Sequence, residues 1–336
     1  MAARNARAQL DLVVFGYASP DDGPGARARV SEFALLIGEA AGIDIRIAPF
    51  PSYERVAQLL HKKDLDVAWL GPIPYIALER KGTAIALARQ HLAGRAHYHS
   101  AIIVNAQSGI RSLARLKGLR AAWVDRHSAS GFVMPRIQLA ALGVDPRTAF
   151  SEQRFYGSHE GVVRAVAEGL ADFGGTYVRL DQNGAIVHGP WSQMPRYVRH
   201  IKTLSKFGEI PSDVIVARAD LDPDIARRLQ ASLLGVAKDP RGRTLIRQTF
   251  GADDFRKPDP TAYETLRALT ADAAAEGLLD AEEAIDDEEI EEVDMLSDAL
   301  TTEIPVARLD ETMEAEIVEV VEPQRPRSRS GRRRPR

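Results

Sequence analysis

LDVAWLGPIPY, residues 65–75, is the stretch on which the fold turns. Leu65 to Leu70 is an apolar run of strand length broken only by Asp66, so it reads as a buried strand. Upstream the same grammar recurs. Leu10 to Tyr17 is an apolar run closed by the loop Ser19-Pro20-Asp21-Asp22-Gly23-Pro24-Gly25. Val30 to Ala41 has helical spacing at Val30, Phe33, Ala34, Ile37 and Ala41, with Gly42 placed to end it; Ile43 to Ala48 alternates as a strand, and Tyr53 to Leu60 is helical again. Strand, helix, strand, helix, strand predicts an open, largely parallel sheet with helices on its faces, the α/β class.

Downstream the alternation starts afresh. Strands are expected at Ser100–Val104, Arg120–Val124, Phe150–Tyr156, Ala171–Gly174, Tyr197–Leu204 and Asp213–Ala217, and helices at Ser112–Leu116, Gly131–Leu142, Gly161–Glu168, Asp222–Ala237 and Thr261–Ala275. A sheet pattern that appears twice argues for two α/β lobes, which suits about 280 residues at roughly 150 per domain.

The 336 residues carry 44 Lys and Arg against 47 Asp and Glu, a net charge of −3 that is unevenly spread. Residues 281–336 hold 17 acids and 8 bases, and ten of those acids fall in 281–300, a stretch with no Lys or Arg. Such a segment cannot offset its ordering entropy by burial and is expected to be a disordered tail. Seven Arg between Gln324 and Arg336 read either as a solvated end or as a weak site for nucleic acid. The absence of Cys excludes disulfide scaffolds, thiol catalysis and Cys-ligated metals. Met1 to Asp11 lacks the apolar stretch of a secretory signal and no 18-residue apolar run exists, so the chain as written is expected in the cytoplasm, or in the periplasm if its start is incomplete.

Two helix starts are candidates for chemistry. In Val124-Asp125-Arg126-His127-Ser128-Ala129-Ser130-Gly131-Phe132, two hydroxyls and a glycine lie between a strand end and a helix, where unpaired N–H groups and the helix dipole favour an anion; the same residues also read as a plain N-cap. Gly157-Ser158-His159-Glu160 places His159 at a second helix start. Tyr53, Trp69 and Tyr98 stand at element ends, either as packing residues or as ligand walls. His97 and His99 share a strand face but lack a carboxylate at metal spacing. No Walker loop, nucleophile elbow or Gly-x-Gly-x-x-Gly is present, so no cofactor, metal or catalytic residue is assigned.

Leu65 to Tyr75 resembles the strand and turn of the phosphonate, phosphite and phosphate binding proteins of ABC importers, and Ser128-Ala129-Ser130-Gly131-Phe132 with Pro135 resembles that family's hydroxyl-rich helix start. Tyr98 with Ile102-Ile103-Val104-Asn105, then Gly157-Ser158-His159-Glu160, then Ile210-Pro211-Ser212-Asp213 follow in the family's order, over roughly residues 10–270. The resemblance implies a type II periplasmic-binding-protein fold: lobe I at 9–104 and 212–278, lobe II at 105–211, the tail at 279–336, and a ligand enclosed between the lobes. It also implies a non-enzymatic solute-binding protein that closes over a phosphorus oxyanion. Ser128, the Ala129 N–H, Ser130 and His159 would hold the anion, Tyr53, Trp69 and Tyr98 would shape the wall, and Asp213 matches the carboxylate that holds an amino end. The partner would be an ABC permease, or a signalling partner if the chain is cytosolic. Two departures stand out: Ala129 replaces a Thr, and the second acid expected near Thr176 to Arg179 is missing, which counts against a 2-aminoethyl ligand. Two other readings stay open: an enzyme on the same two-lobed fold, with His159 or Asp213 as acid or base, and an interaction protein acting through its tail.

Overall fold

The computed structural model describes residues 11–18, 24–92 and 94–279. Residues 280–336 of the tail expected at 279–336, and residues 19–23 of the loop expected at 19–25, lie outside the described residues. β1 (Asp11–Ala18), α1 (Pro24–Ala41), β2 (Ile43–Phe50), α2 (Tyr53–His61) and β3 (Val67–Leu70) follow the anticipated order. α1 begins at Pro24, ahead of its apolar stripe, because proline is at home in a first turn where no N–H is needed. α3 (Pro72–Arg80) and β4 (Ala84–His91) have no counterpart in the sequence reading. Pro72 and Pro74, part of the strand-and-turn motif by resemblance, occupy the first turn of α3.

The second half holds β5 (His97–Asn105), β6 (Arg120–Trp123), a π-helical turn at Ala129–Val133 that runs into α4 (Met134–Ala141), β7 (Glu152–Phe155), α5 (His159–Ala167), β8 (Phe173–Leu180), β9 (Ile186–His188) and β10 (Ile201–Pro211). The chain then returns through β11 (Val214–Arg218), α6 (Pro223–Gly235), α7 (Pro240–Phe250), β12 (Asp254–Arg256) and α8 (Glu264–Ala275). One sheet has the order β12-β4-β11-β3-β1-β2, the other β10-β5-β8-β6-β7 with β9 beside β8.

Two expectations need correction. The sheets are mixed, not largely parallel: β11 enters from the second sheet and is inserted antiparallel between β3 and β4, and β5 runs antiparallel to both β8 and β10. The boundary drawn at 104/105 is also misplaced, since β5 lies wholly in the second sheet and the first crossing is at residues 92–96. A uniformly buried run such as Ala101–Val104 reports burial but not which sheet it joins. The return crossing is Ser212–Asp213.

Four apolar clusters hold the described residues together. Phe15, Phe33, Phe250 and Phe255 lie in the cluster on one face of the first sheet, with Phe33 and Phe250 edge to face at 4.7 Å. Trp123, Phe132 and Phe173 lie in the main cluster of the second sheet. A further cluster contains Phe50, Leu70 and Tyr75 from the first half together with Ala129, Met134 and Ile210 from the second, so the helix start at Ser128 is set in apolar packing shared by both sheets.

Candidate functional site

β6 ends at Trp123 and the chain turns through Asp125, whose Oδ1 accepts from the His127 N–H at 2.7 Å. Ser128 follows as N-cap: its Oγ accepts from the Gly131 N–H at 3.0 Å, so the capping reading of this serine holds. The N–H groups of Ala129 and Ser130 open the first turn, where a helix supplies no acceptors of its own. Ser130 is 1% exposed and its Oγ lacks a hydrogen-bond partner, although the Tyr98 hydroxyl faces it; a buried hydroxyl left open in this way is costly unless something fills it. The Ser130 carbonyl accepts from Ser100 Oγ at 2.8 Å, which fixes the turn to β5. The Ala129 methyl is buried in the cluster shared by the two sheets, a setting that favours Ala over the family's hydroxyl.

α5 supplies the second wall. Ser158 caps it, with Oγ accepting from the Gly161 N–H at 3.0 Å, and His159 is its first residue. His159 Nδ1 lies 2.9 Å from Thr176 Oγ1 on β8, and burial pushes the imidazole down to about 4, so it is neutral at pH 7. The Tyr177 ring stands edge-on to His159 at 4.9 Å and to Tyr98 at 6.3 Å. β8 reaches this position because Gly174 and Gly175 carry no side chain: a Cβ on Gly175 would lie 2.7 Å from the Gly131 carbonyl oxygen and 3.0 Å from Trp123.

The crossing between the sheets supplies the acid. Burial raises Asp213 to about 6, opposed by the Arg179 charge and by the Trp69 indole N–H, which faces the carboxylate without closing a normal hydrogen bond. The Trp69 ring itself packs edge-on to Phe250 at 4.7 Å, so this residue serves the core and the site together. Tyr53, the first residue of α2, and Tyr98 are pushed well above the ordinary phenol range, first by burial and then by the Asp213 charge. Both are therefore protonated donors.

Pairwise ring and charge interactions thus connect Asp213 with Tyr53, Trp69 and Tyr98, and Tyr98 with Ser130 and, through Tyr177, with His159; Ser128 and Ala129 lie at the helix start next to Ser130. Sequence reading missed Thr176, Tyr177, Arg179 and His188. Tyr177 and Arg179 alternate on β8 and share a face, a period-2 signal hidden because the strand was ended at Gly174. His97 does have a carboxylate neighbour, Glu209 Oε1 on the paired strand β10 at 3.3 Å, which a search along one strand could not see. Among the described residues no group of three or more His, Cys, Asp or Glu is disposed to hold a metal ion. Nor is any helix among them long and apolar enough to cross a membrane.

Residues 15–263 match the family described as ABC transporter, phosphonate, periplasmic substrate-binding protein. The probable ABC transporter phosphite binding protein PhnD1 of Prochlorococcus marinus (strain MIT 9301) is 21% identical over 253 residues, 72% of this chain and 82% of its own length. The structure of that PhnD1 in complex with methylphosphonate superposes with a TM-score of 0.67 at 21% identity, over 79% of this chain and 98% of the other. A binding protein component of an ABC phosphonate transporter from Pseudomonas aeruginosa (PA3383) gives 0.67 at 23% identity, over 78% and 86%. These likenesses agree with the two-lobed type II periplasmic-binding-protein fold expected from the sequence, and the match to the family spans far more than half of the chain. The chain belongs to the family of periplasmic substrate-binding proteins of phosphonate ABC transporters.

Proposed function

We propose that this chain binds a phosphorus oxyanion of the phosphonate class between its two sheets and presents it to an ABC permease, without turning it over. The observation that carries the reading is Ser130: a 1% exposed hydroxyl at a helix start, faced by the Tyr98 hydroxyl but closing no normal hydrogen bond among the described residues, with the neutral His159 reached from Tyr98 through Tyr177. Anion oxygens would accept from Ser130 Oγ, from the Ala129 and Ser130 N–H groups, from Ser128 Oγ, which has a proton to give while its lone pair serves Gly131, and from His159 Nε2. Tyr53, Tyr98 and Tyr177 would wall the substituent, and Asp213, raised to about 6, would accept a proton-bearing oxygen or an ammonium. Desolvated donors of this kind favour the bound anion far more than the same groups in water.

A hinge at the two crossings would lie close in sequence to Tyr98 and Asp213, so ligand contact and lobe closure would be coupled. The family's periplasmic setting supports a permease partner on that side of the membrane. Calorimetric titration of the full chain with phosphate, phosphite, methylphosphonate, 2-aminoethylphosphonate and sulfate tests the reading. Saturable binding of a phosphorus anion is expected, and preference for sulfate, or binding of none, would overturn it.

A further inference from the structure

β8 carries a cation that the anion site does not use. Tyr98, Ser100, Tyr177 and Arg179 share one face of the second sheet, because Ser100 pairs directly with Tyr177 in the antiparallel β5–β8 ladder and alternate residues face alike. Ser100 on that face holds the Ser130 carbonyl, so the face looks toward the anion site. The Arg179 guanidinium lies 6.0 Å from the Tyr98 ring centre and makes no hydrogen bond or ion pair with any described residue. Asp213 feels its charge but is not bridged to it. His188, the cross-strand partner of Arg179, stacks on Tyr177 at 6.0 Å with 19° between the rings, and its Nδ1 is buried without a partner.

The Tyr177 ring therefore contacts two imidazoles, His159 edge-on, itself held by Thr176, and His188 stacked, the cross-strand partner of Arg179. A guanidinium and an imidazole nitrogen, both without a hydrogen-bond partner among the described residues and on the strand face that holds the Ser130 carbonyl, form a second acceptor-seeking subsite. Methyl, alkyl or aminoalkyl substituents would leave it unmet, and an ammonium would be repelled by it.

Resting on the anion site proposed above, we infer that the ligand is a phosphonate bearing a second anionic group, a carboxylate on a short carbon linker, which pairs with Arg179 and His188. Arg179 then determines specificity within the family's common anion site.

The test is calorimetric titration of the full chain with phosphonoacetate and 3-phosphonopropionate against ethylphosphonate and propylphosphonate, for the unaltered protein and for Arg179→Gln and Arg179→Lys. One of the two diacids should bind about ten- to a hundredfold more tightly than its alkyl counterpart, as expected for a charge-assisted hydrogen bond. That ratio should collapse in Arg179→Gln and survive in part in Arg179→Lys. Equal affinities for diacid and alkyl ligands in the unaltered protein would overturn the second subsite while leaving the anion site standing. An Arg179→Gln change that weakens both ligands by the same factor would also overturn it, reducing Arg179 to a counter-charge for Asp213. Failure of every phosphonate to bind would overturn both subsites together.

Discussion

His159 Nδ1 lies 2.9 Å from Thr176 Oγ1, which ties the first residue of α5 to the middle of β8. The bond commits one ring nitrogen to the protein and leaves Nε2 for a ligand. Which nitrogen bears the proton follows from what Thr176 does: if its hydroxyl donates to Nδ1, Nε2 is the N–H donor that an anion requires.

Thr176→Val removes the partner that fixes this orientation. Methylphosphonate affinity should fall by about 1–2 kcal/mol, roughly five- to thirtyfold. Titration calorimetry on a variant whose thermal transition is unchanged reads the effect directly, and an unaltered Kd would remove His159 from the ligand's shell.

Buried acids and histidines in the site act on stability in opposite senses. Asp213 is raised to about 6, so between about pH 4 and 6 the folded chain binds more protons than the unfolded chain and this group's contribution falls as pH rises. His159 is lowered to about 4, so between about pH 4 and 6.5 the unfolded chain binds more protons and its contribution rises with pH. Asp125 at about 6 and His127 at about 4 repeat the pairing. Relative to the unaltered protein, Asp213→Asn should gain about 2–3 kcal/mol above pH 6 and nothing below pH 4. Urea unfolding at intervals from pH 4 to 8 gives the difference curve, and a flat one would mean that Asp213 is not buried as a charge.

Gly175→Ala would force a methyl against the Gly131 carbonyl and the Trp123 ring. Neither neighbour is a flexible side-chain end, so the change should cost about 1–3 kcal/mol and push β8 away from the helix start. A stability loss with an equal loss of ligand affinity is expected; full affinity in the variant would show that the contact between β8 and the helix start does not shape the site.

Arg136, 9% exposed, donates to the Leu278 carbonyl at 3.0 Å and to Gln153 Oε1 at 3.2 Å, fastening the segment after α8 to α4. Arg136→Met would strand the Leu278 carbonyl, while Gln153 Oε1 keeps the Trp123 indole N–H at 3.0 Å, at a cost of about 1–3 kcal/mol. Hydrogen exchange should show lost protection concentrated at residues 272–279, and uniform loss across the chain would contradict a local fastening.

Much of this was legible in the sequence because period and punctuation are local. The first five elements, Ser128 as a cap and His159 at a helix start follow from neighbours a few residues apart, whereas the place of Asp213 near a lobe crossing comes from the family resemblance. What escaped depends on partners far along the chain. The helix that opens at Pro72 went unread because its prolines stand in the family's turn motif and its apolar residues show their burial only in the packed structure. The Ala101–Val104 run could have joined either sheet, and only its pairing with β8 decides. Thr176, Tyr177 and Arg179 matter because Gly174 and Gly175 let β8 approach a helix start more than forty residues earlier, which no spacing rule along one strand reveals.

The most direct measurement is the affinity of the unaltered chain, Ser130→Ala and His159→Gln for methylphosphonate, by calorimetry at pH 7. Saturable binding weakened by about 1–3 kcal/mol in each variant is the expected result. Binding that is untouched by both substitutions would contradict the placement of the anion at the helix start that Ser130 opens.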